Sequence, residues 1–241
     1  MRRRRGFWRR LLRRALFTAL ALVLLSVLMV ASVRFVDPWT SGFMLQARIE
    51  SWLDDDPRPL RLRRQWRDFE RISPQLALAV VASEDQRFPE HHGFDFRQIR
   101  QALREAQRGG RMRGASTITQ QVARNLFLWN GRSWVRKGLE AWFTVLVELT
   151  WPKQRILEVY LNLAEFGPGI YGAEAAAQAF FRKDAAGLTR AEAARLAAVL
   201  PGPRRLSAGN PGPYVLRRQG EIEAQMSALG GTAWLEARLT R

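Results

Sequence analysis

Cysteine is absent from the 241 residues, and its absence excludes any disulfide framework and any thiolate metal site. Histidine is almost absent as well. The two that occur, His91 and His92, are adjacent and too few to build a histidine metal centre alone. Acids are scarce: 22 Asp and Glu stand against 39 Lys and Arg, a formal charge of +17. That balance calls for an anionic partner, whether nucleic acid, anionic lipid or a phosphorylated substrate. Sustained period-two alternation is missing too, and so is any internal repeat, which argues against a β-rich or solenoid architecture.

What is present starts with charge of one sign. Residues 1–14 hold eight Arg and no acid, leaving +9 for the remainder. Residues 15–33 carry no charge, and about 20 such residues suffice to span a hydrocarbon core. Ala31-Ser-Val33 is a weak cleavage site followed at once by Arg34, so the run reads as a retained anchor rather than a removed signal. The Arg-rich start then stays in the cytoplasm and the rest is exported. Export removes nucleic acid as the partner and moves the weight to lipid and cell-wall substrates. The chain divides into a cytoplasmic tail (1–14), an anchor (15–36), a juxtamembrane segment (37–73) and one domain (74–241). That length allows a sizeable core.

The domain reads as mostly α. Helices are predicted over 76–84, 96–107, 117–128, 134–149, 152–165, 173–181, 189–200 and 214–229, the last ended by Gly230 and Gly231. Thr117-Ile-Thr-Gln120 and Thr189-Arg-Ala-Glu192 are capping boxes. Gly109, Gly110 and Gly114 mark a basic loop.

Four segments carry chemistry. Glu84-Asp85 ends an apolar run, Leu76–Ala82, and is followed by Phe88, His91 and Gly93. A carboxylate at the end of a buried segment is how a raised pKa, and so a general base near neutral pH, is built; a helix ending in solvent is the plainer reading. From Gly114 to Leu128, Ser116, Thr117, Thr119, Gln120, Gln121, Arg124 and Asn125 crowd side-chain donors around a helix start, where free N–H groups favour a phosphate. Self-capping is the plainer reading there. Arg136, Lys137 and Glu140 fall on one helical turn, either as a surface ion pair or as a carboxylate beside two cations that face an anionic leaving group. Lys153 to Gly172 places Glu158 and Asn162 on one helix face beside a glycine-rich turn ending at Gly172, which reads as scaffold. His91 and His92 read as hydrogen-bonding or capping groups.

Together, in this order, these segments resemble the peptidoglycan glycosyltransferases of glycosyltransferase family 51. Glu84, Asp85, Phe88, His91 and Gly93 meet its first motif, and Gly114 to Phe127 its second. Arg136, Lys137 and Glu140 meet its third, and Lys153, Ile156, Leu157, Glu158, Tyr160, Leu161, Asn162 and the Gly167–Gly172 turn its fourth. The likeness covers roughly residues 70–230. One departure is Arg124, where the family commonly has Lys; charge is kept and geometry differs. With no second large module before residue 241, the chain resembles the monofunctional members.

The resemblance implies a lysozyme-like two-lobed helical fold with a membrane-dipping smaller lobe around residues 95–115. It implies polymerisation of lipid II onto a growing glycan strand, with β-1,4 linkage and release of polyprenyl pyrophosphate. The enzyme would sit in the bacterial inner membrane, crossing once, with a periplasmic catalytic domain. Glu84 would be the base and Glu140 the second carboxylate, which orients cations, helps the leaving group or holds a divalent ion, Mg or Mn. Ser116, Thr117, Gln121, Arg124, Asn125, Arg136 and Lys137 would contact substrate and pyrophosphate. No organic cofactor is implied. Protein partners would be cell-division or penicillin-binding proteins. The rival readings are a lytic transglycosylase, which needs a single acid and no pyrophosphate cations, and a non-catalytic scaffold for cell-wall assembly.

Overall fold

The computed structural model describes residues 2–53, 62–109, 116–131 and 133–239. The fold is mostly helical. Helix α1 (Arg2–Val33) is unbroken, so the Arg-rich start and the apolar run form one rod. Within it Arg9–Val33, 25 residues of mean hydropathy 2.6, is long and apolar enough to cross a membrane.

Helix α2 (Gly42–Leu53) follows, with Met44 and Ala47 turned inward. The sequence pattern offered only short apolar patches there. Strand β1 (Arg63–Arg64) and a 3-10 turn at Phe69–Arg71 lead into α3 (Pro74–Glu84). Then come α4 (Phe96–Gln107), α5 (Ile118–Phe127), α6 (Trp134–Thr150) and α7 (Lys153–Leu163). Strands β2 (Glu165–Gly167) and β3 (Ile170–Tyr171) form a hairpin before α8 (Ala173–Phe181). Helices α9 (Arg190–Val199), α10 (Pro213–Ala228) and α11 (Gly231–Leu239) complete the described chain.

Helix α3 is the hub. Every residue from Leu76 to Ala82 is buried, because a helix that is apolar all round can only be a core helix. It packs against α9, α10 and α11, while α5 lies between α6 and α7. Its start is fixed by Ser73, whose hydroxyl accepts from the Gln75 amide and donates to the Leu188 carbonyl, with Pro74 in the first turn.

Residues 62–73, read from sequence as part of a juxtamembrane segment, are tied to the rest of the fold. β1 pairs in parallel with β3, the Arg67 main chain hydrogen-bonds the Asn162 amide group in both directions, and Ile72 is buried. A three-stranded sheet of order β1-β3-β2 exists, its strands too short to leave a period-two signature. The Gly230-Gly231 pair does not end the helical structure, because α11 begins at Gly231; both glycines have positive φ and reverse the chain between two helices. The remaining predicted helices fall within two residues of their observed bounds. Residues 110–115, which include part of the glycine loop and of the expected membrane-dipping lobe, lie outside the described residues.

Candidate active site

Glu84 is the last residue of α3 and the point where the buried helix meets a cleft of about 1080 Å³. The floor holds Glu84, Asp85, Ser116, Gln121 and Arg124, and the far wall is α10 with Tyr214, Arg217, Arg218 and Glu221. Loss of solvation raises the Glu84 pKa above the ordinary glutamate value. A hydrogen bond from Gln121, with Arg218 and Arg124 nearby, pulls the other way without reversing it, and Asp85 adds to the rise. Gln121 Nε2 donates to Glu84 Oε2 at 2.8 Å, so the half-buried carboxylate is oriented.

The neighbouring acid has a different task. Asp85 is buried and accepts from the backbone N–H of Ile118 at 3.1 Å, while both its oxygens lie 2.9 Å from His91 Nε2. It therefore ties the loop after α3 to the start of α5. Phe88 is fully buried, and Lys153 Nζ lies 4.6 Å from its ring centre while donating to the His91 carbonyl and to Glu148. His91 is thus part of a brace; His92 is exposed. Gly93 has a φ of 82°, and a Cβ there would sit 2.7 Å from the Thr144 methyl.

The start of α5 is closed on itself. Thr117 is its N-cap in a full capping box with Gln120, and its hydroxyl also donates to the Gly93 carbonyl at 2.6 Å. With Ile118 N–H on Asp85, most amides at this helix end already have partners inside the fold. What faces an anion here is carried by side chains. Ser116, Gln121 and Arg124 line the cleft, and Arg124 donates weakly to Asn125 beside it.

Arg136, Lys137 and Glu140 do not line that cleft. They form their own cluster on α6, the helix packed on α5. Glu140 is 1% exposed and receives Arg136 on one oxygen, at 3.0 Å, and Lys137 on the other. Lys137 is half exposed, whereas Arg136 is largely buried. With both carboxylate oxygens on cations, Glu140 orients the two basic groups. Among the described residues no group of three or more acids or histidines could by itself hold a metal ion.

Glu158 and Asn162 make their hydrogen bonds within the fold. Asn162 donates to the Arg67 and Glu158 carbonyls and accepts from Arg67 N–H; Glu158 pairs with Arg155. Gly172 has a φ of 84°, and a Cβ would lie 2.7 Å from the Asn162 carbonyl oxygen, so only glycine fits.

Sequence reasoning missed the α10 wall. Arg218 donates to the Ser83 carbonyl at 3.5 Å and pairs with Glu221 at 3.0 Å, which brings a cation to Glu84. Its local pattern is that of any basic amphipathic helix, and only the packing of α10 on α3 reveals it.

Comparison with known proteins gives one family. The family model described as Transglycosylase matches residues 57–227. Curated relatives named biosynthetic peptidoglycan transglycosylase include one from Xanthomonas axonopodis pv. citri (strain 306), 58% identical over 95% of this chain and 93% of its own length. Another, from Chromohalobacter salexigens, is 54% identical over 96% of this chain and 98% of its own. A third, from Xylella fastidiosa (strain 9a5c), is 54% identical over 95% and 93% respectively.

Proposed function

The chain belongs to the transglycosylase family and is a peptidoglycan glycosyltransferase of cell-wall synthesis, and we propose that it polymerises lipid II with Glu84 as general base. The observation that carries the assignment is Glu84 itself. It is a carboxylate two residues beyond the buried run Leu76–Ala82, opening on the cleft, raised in pKa by loss of solvation and aimed by Gln121. A base of raised pKa takes a hydroxyl proton more readily than an ordinary glutamate.

In the proposed step Glu84 accepts the proton of the acceptor's 4-hydroxyl. The oxygen attacks the anomeric carbon of the growing strand and the bond to its polyprenyl pyrophosphate breaks. The α linkage becomes β-1,4. The electron pair leaves with the pyrophosphate, so fixed cations lower the barrier most by meeting that charge. Arg124 supplies one from the cleft floor. Arg136 and Lys137, held by Glu140, supply two from α6, with Ser116 and Asn125 as polar neighbours. A cleaving transglycosylase has no such leaving group and would not need this set.

A lipid-linked substrate fits the position of α1. Ser26 accepts a hydrogen bond from Trp142 at 3.1 Å, the Val30 carbonyl one from Trp151 at 2.8 Å, and Arg34 donates to the Thr150 carbonyl. These contacts set α6 beside the candidate span. Trp134, Val135, Val145 and Leu149 leave the outer face of α6 apolar. Substrate would arrive sideways from the outer leaflet. The test is polymerisation of labelled lipid II by the full chain, with Glu84→Gln as the control: glycan strands from the first and none from the second support the reading, and equal activity overturns it.

A further inference from the structure

We propose that Tyr160 is a positioning residue, whose buried hydroxyl fixes the Gln121 amide so that its NH2 group faces the Glu84 carboxylate. The inference rests on Glu84 being the base. Tyr160 lies on α7, 2% exposed, and its hydroxyl donates to Gln121 Oε1 at 3.3 Å. Gln121 Nε2 in turn donates to Glu84 Oε2 at 2.8 Å. Three helices, α7, α5 and α3, thus contribute one link each to a short chain ending at the Glu84 carboxylate.

The chemistry of an amide makes the link directional. Its two ends have similar shape and opposite polarity, so nothing in packing alone decides which faces Glu84. A hydroxyl held against the oxygen end decides it. Without that hydroxyl, the oxygen is left without this donor in a buried place, and the amide gains by turning round. The turned amide would set its oxygen against an ionised carboxylate, which stabilises the protonated acid and not the base. Burial keeps the Tyr160 phenol far above its ordinary pKa, so it stays a donor over the working pH range.

The other groups facing Glu84 do not make this choice. Asp85 follows it in the chain and is committed to His91 and Ile118. Arg124 on α5 and Arg218 on α10 favour the ionised form through space, with no hydrogen bond to the Gln121 amide oxygen. Arg217 and Glu221 on α10 and Glu105 on α4 lie further along the cleft walls.

The experiment is a pH profile of lipid II polymerisation by the full chain carrying Tyr160→Phe, which keeps the ring and removes the hydroxyl. The acid limb of kcat/KM should move to higher pH. The rate on the acid side should fall about 3- to 10-fold and recover towards the wild-type plateau at high pH. Gln121→Ala should move the limb the same way, and adding Tyr160→Phe to it should do nothing more, because the relay is already cut. An unmoved limb, an additive double variant, or a collapse of the Tm of Tyr160→Phe would overturn the positioning role. Should Glu84→Gln retain activity, the base assignment fails with it; if Glu84→Gln is inactive and the limb does not move, only the role of Tyr160 fails.

Discussion

As the proposed base, Glu84 would acquire its function from its address. The same side chain on a surface helix would titrate as an ordinary acid, but here the apolar run Leu76–Ala82 carries it out of water. Glu84→Gln keeps the shape and removes the base, and polymerisation should fall about 100-fold or more. Its stability should move the other way. A carboxyl whose pKa is higher folded than unfolded holds its proton more tightly in the fold, so folding loses stability as pH rises from the unfolded value through the folded one. The Gln variant escapes that loss. Its Tm at neutral pH should equal or exceed the wild type, and the difference should vanish at pH below the unfolded carboxyl value. A variant both inactive and strongly destabilised would point to a structural role instead. Gly172 gives the opposite case, a residue whose task is only to fit. Gly172→Ala forces a Cβ onto the Asn162 carbonyl at a positive φ and should cost about 1–3 kcal/mol, read as a lowered Tm.

Among the elements, α6 is the one with two faces of different use. Its inner face holds Glu140, Phe143, Thr144 and Val147 in the core, and its first turns carry Arg136 and Lys137. The two cations should separate on mutation. Lys137 is half exposed, so Lys137→Ala should leave Tm nearly unchanged while weakening binding of a lipid pyrophosphate or a phosphoglycolipid inhibitor. Arg136 is largely buried against Glu140, so Arg136→Ala strips a partner from a buried carboxylate and should lower both affinity and Tm, by about 3–5 kcal/mol of stability at most. Calorimetric titration beside thermal unfolding distinguishes them; unchanged affinity in both variants and in Arg124→Ala would remove the phosphate site. The legibility of such elements differs by cause. Capping boxes at Thr117 and Thr189 and the all-apolar α3 are local, and they could be read directly from neighbouring letters. The position of Glu84 after an apolar run and the α6 ion-pair cluster were legible because each lies within one contiguous motif. The sheet, the Arg218 wall and the Tyr160 hydroxyl were not, since each depends on segments about 110, 130 or 40 positions apart meeting in space, and no local pattern encodes such a meeting.

At the scale of the whole molecule, the anchor and the catalytic domain are one body and not a head on a tether. Helix α1 is held by Trp142, Trp151 and Arg155, the last donating to the Val33 carbonyl at 2.9 Å, so the cleft has a fixed relation to the span. Orientation is then the remaining question, and we propose that charge sets it. Residues 1–14 carry eight Arg and no acid, and such clusters stay on the cytoplasmic side. Among the described residues no second helix is long and apolar enough to cross, so everything after Val33 should lie outside the cytoplasm. An export-dependent reporter fused after residue 241 should therefore be active, and one that works only in the cytoplasm should be silent. Replacing the eight arginines with Gln should lower the active fraction of the first reporter, because it removes the charge asymmetry that sets the direction. The reverse pattern, a silent exported reporter and an active cytoplasmic one, would put the α6 cations and Glu84 on the inner leaflet. A substrate presented from the outer leaflet could not reach them there, and the proposed route of the lipid would fall together with the topology.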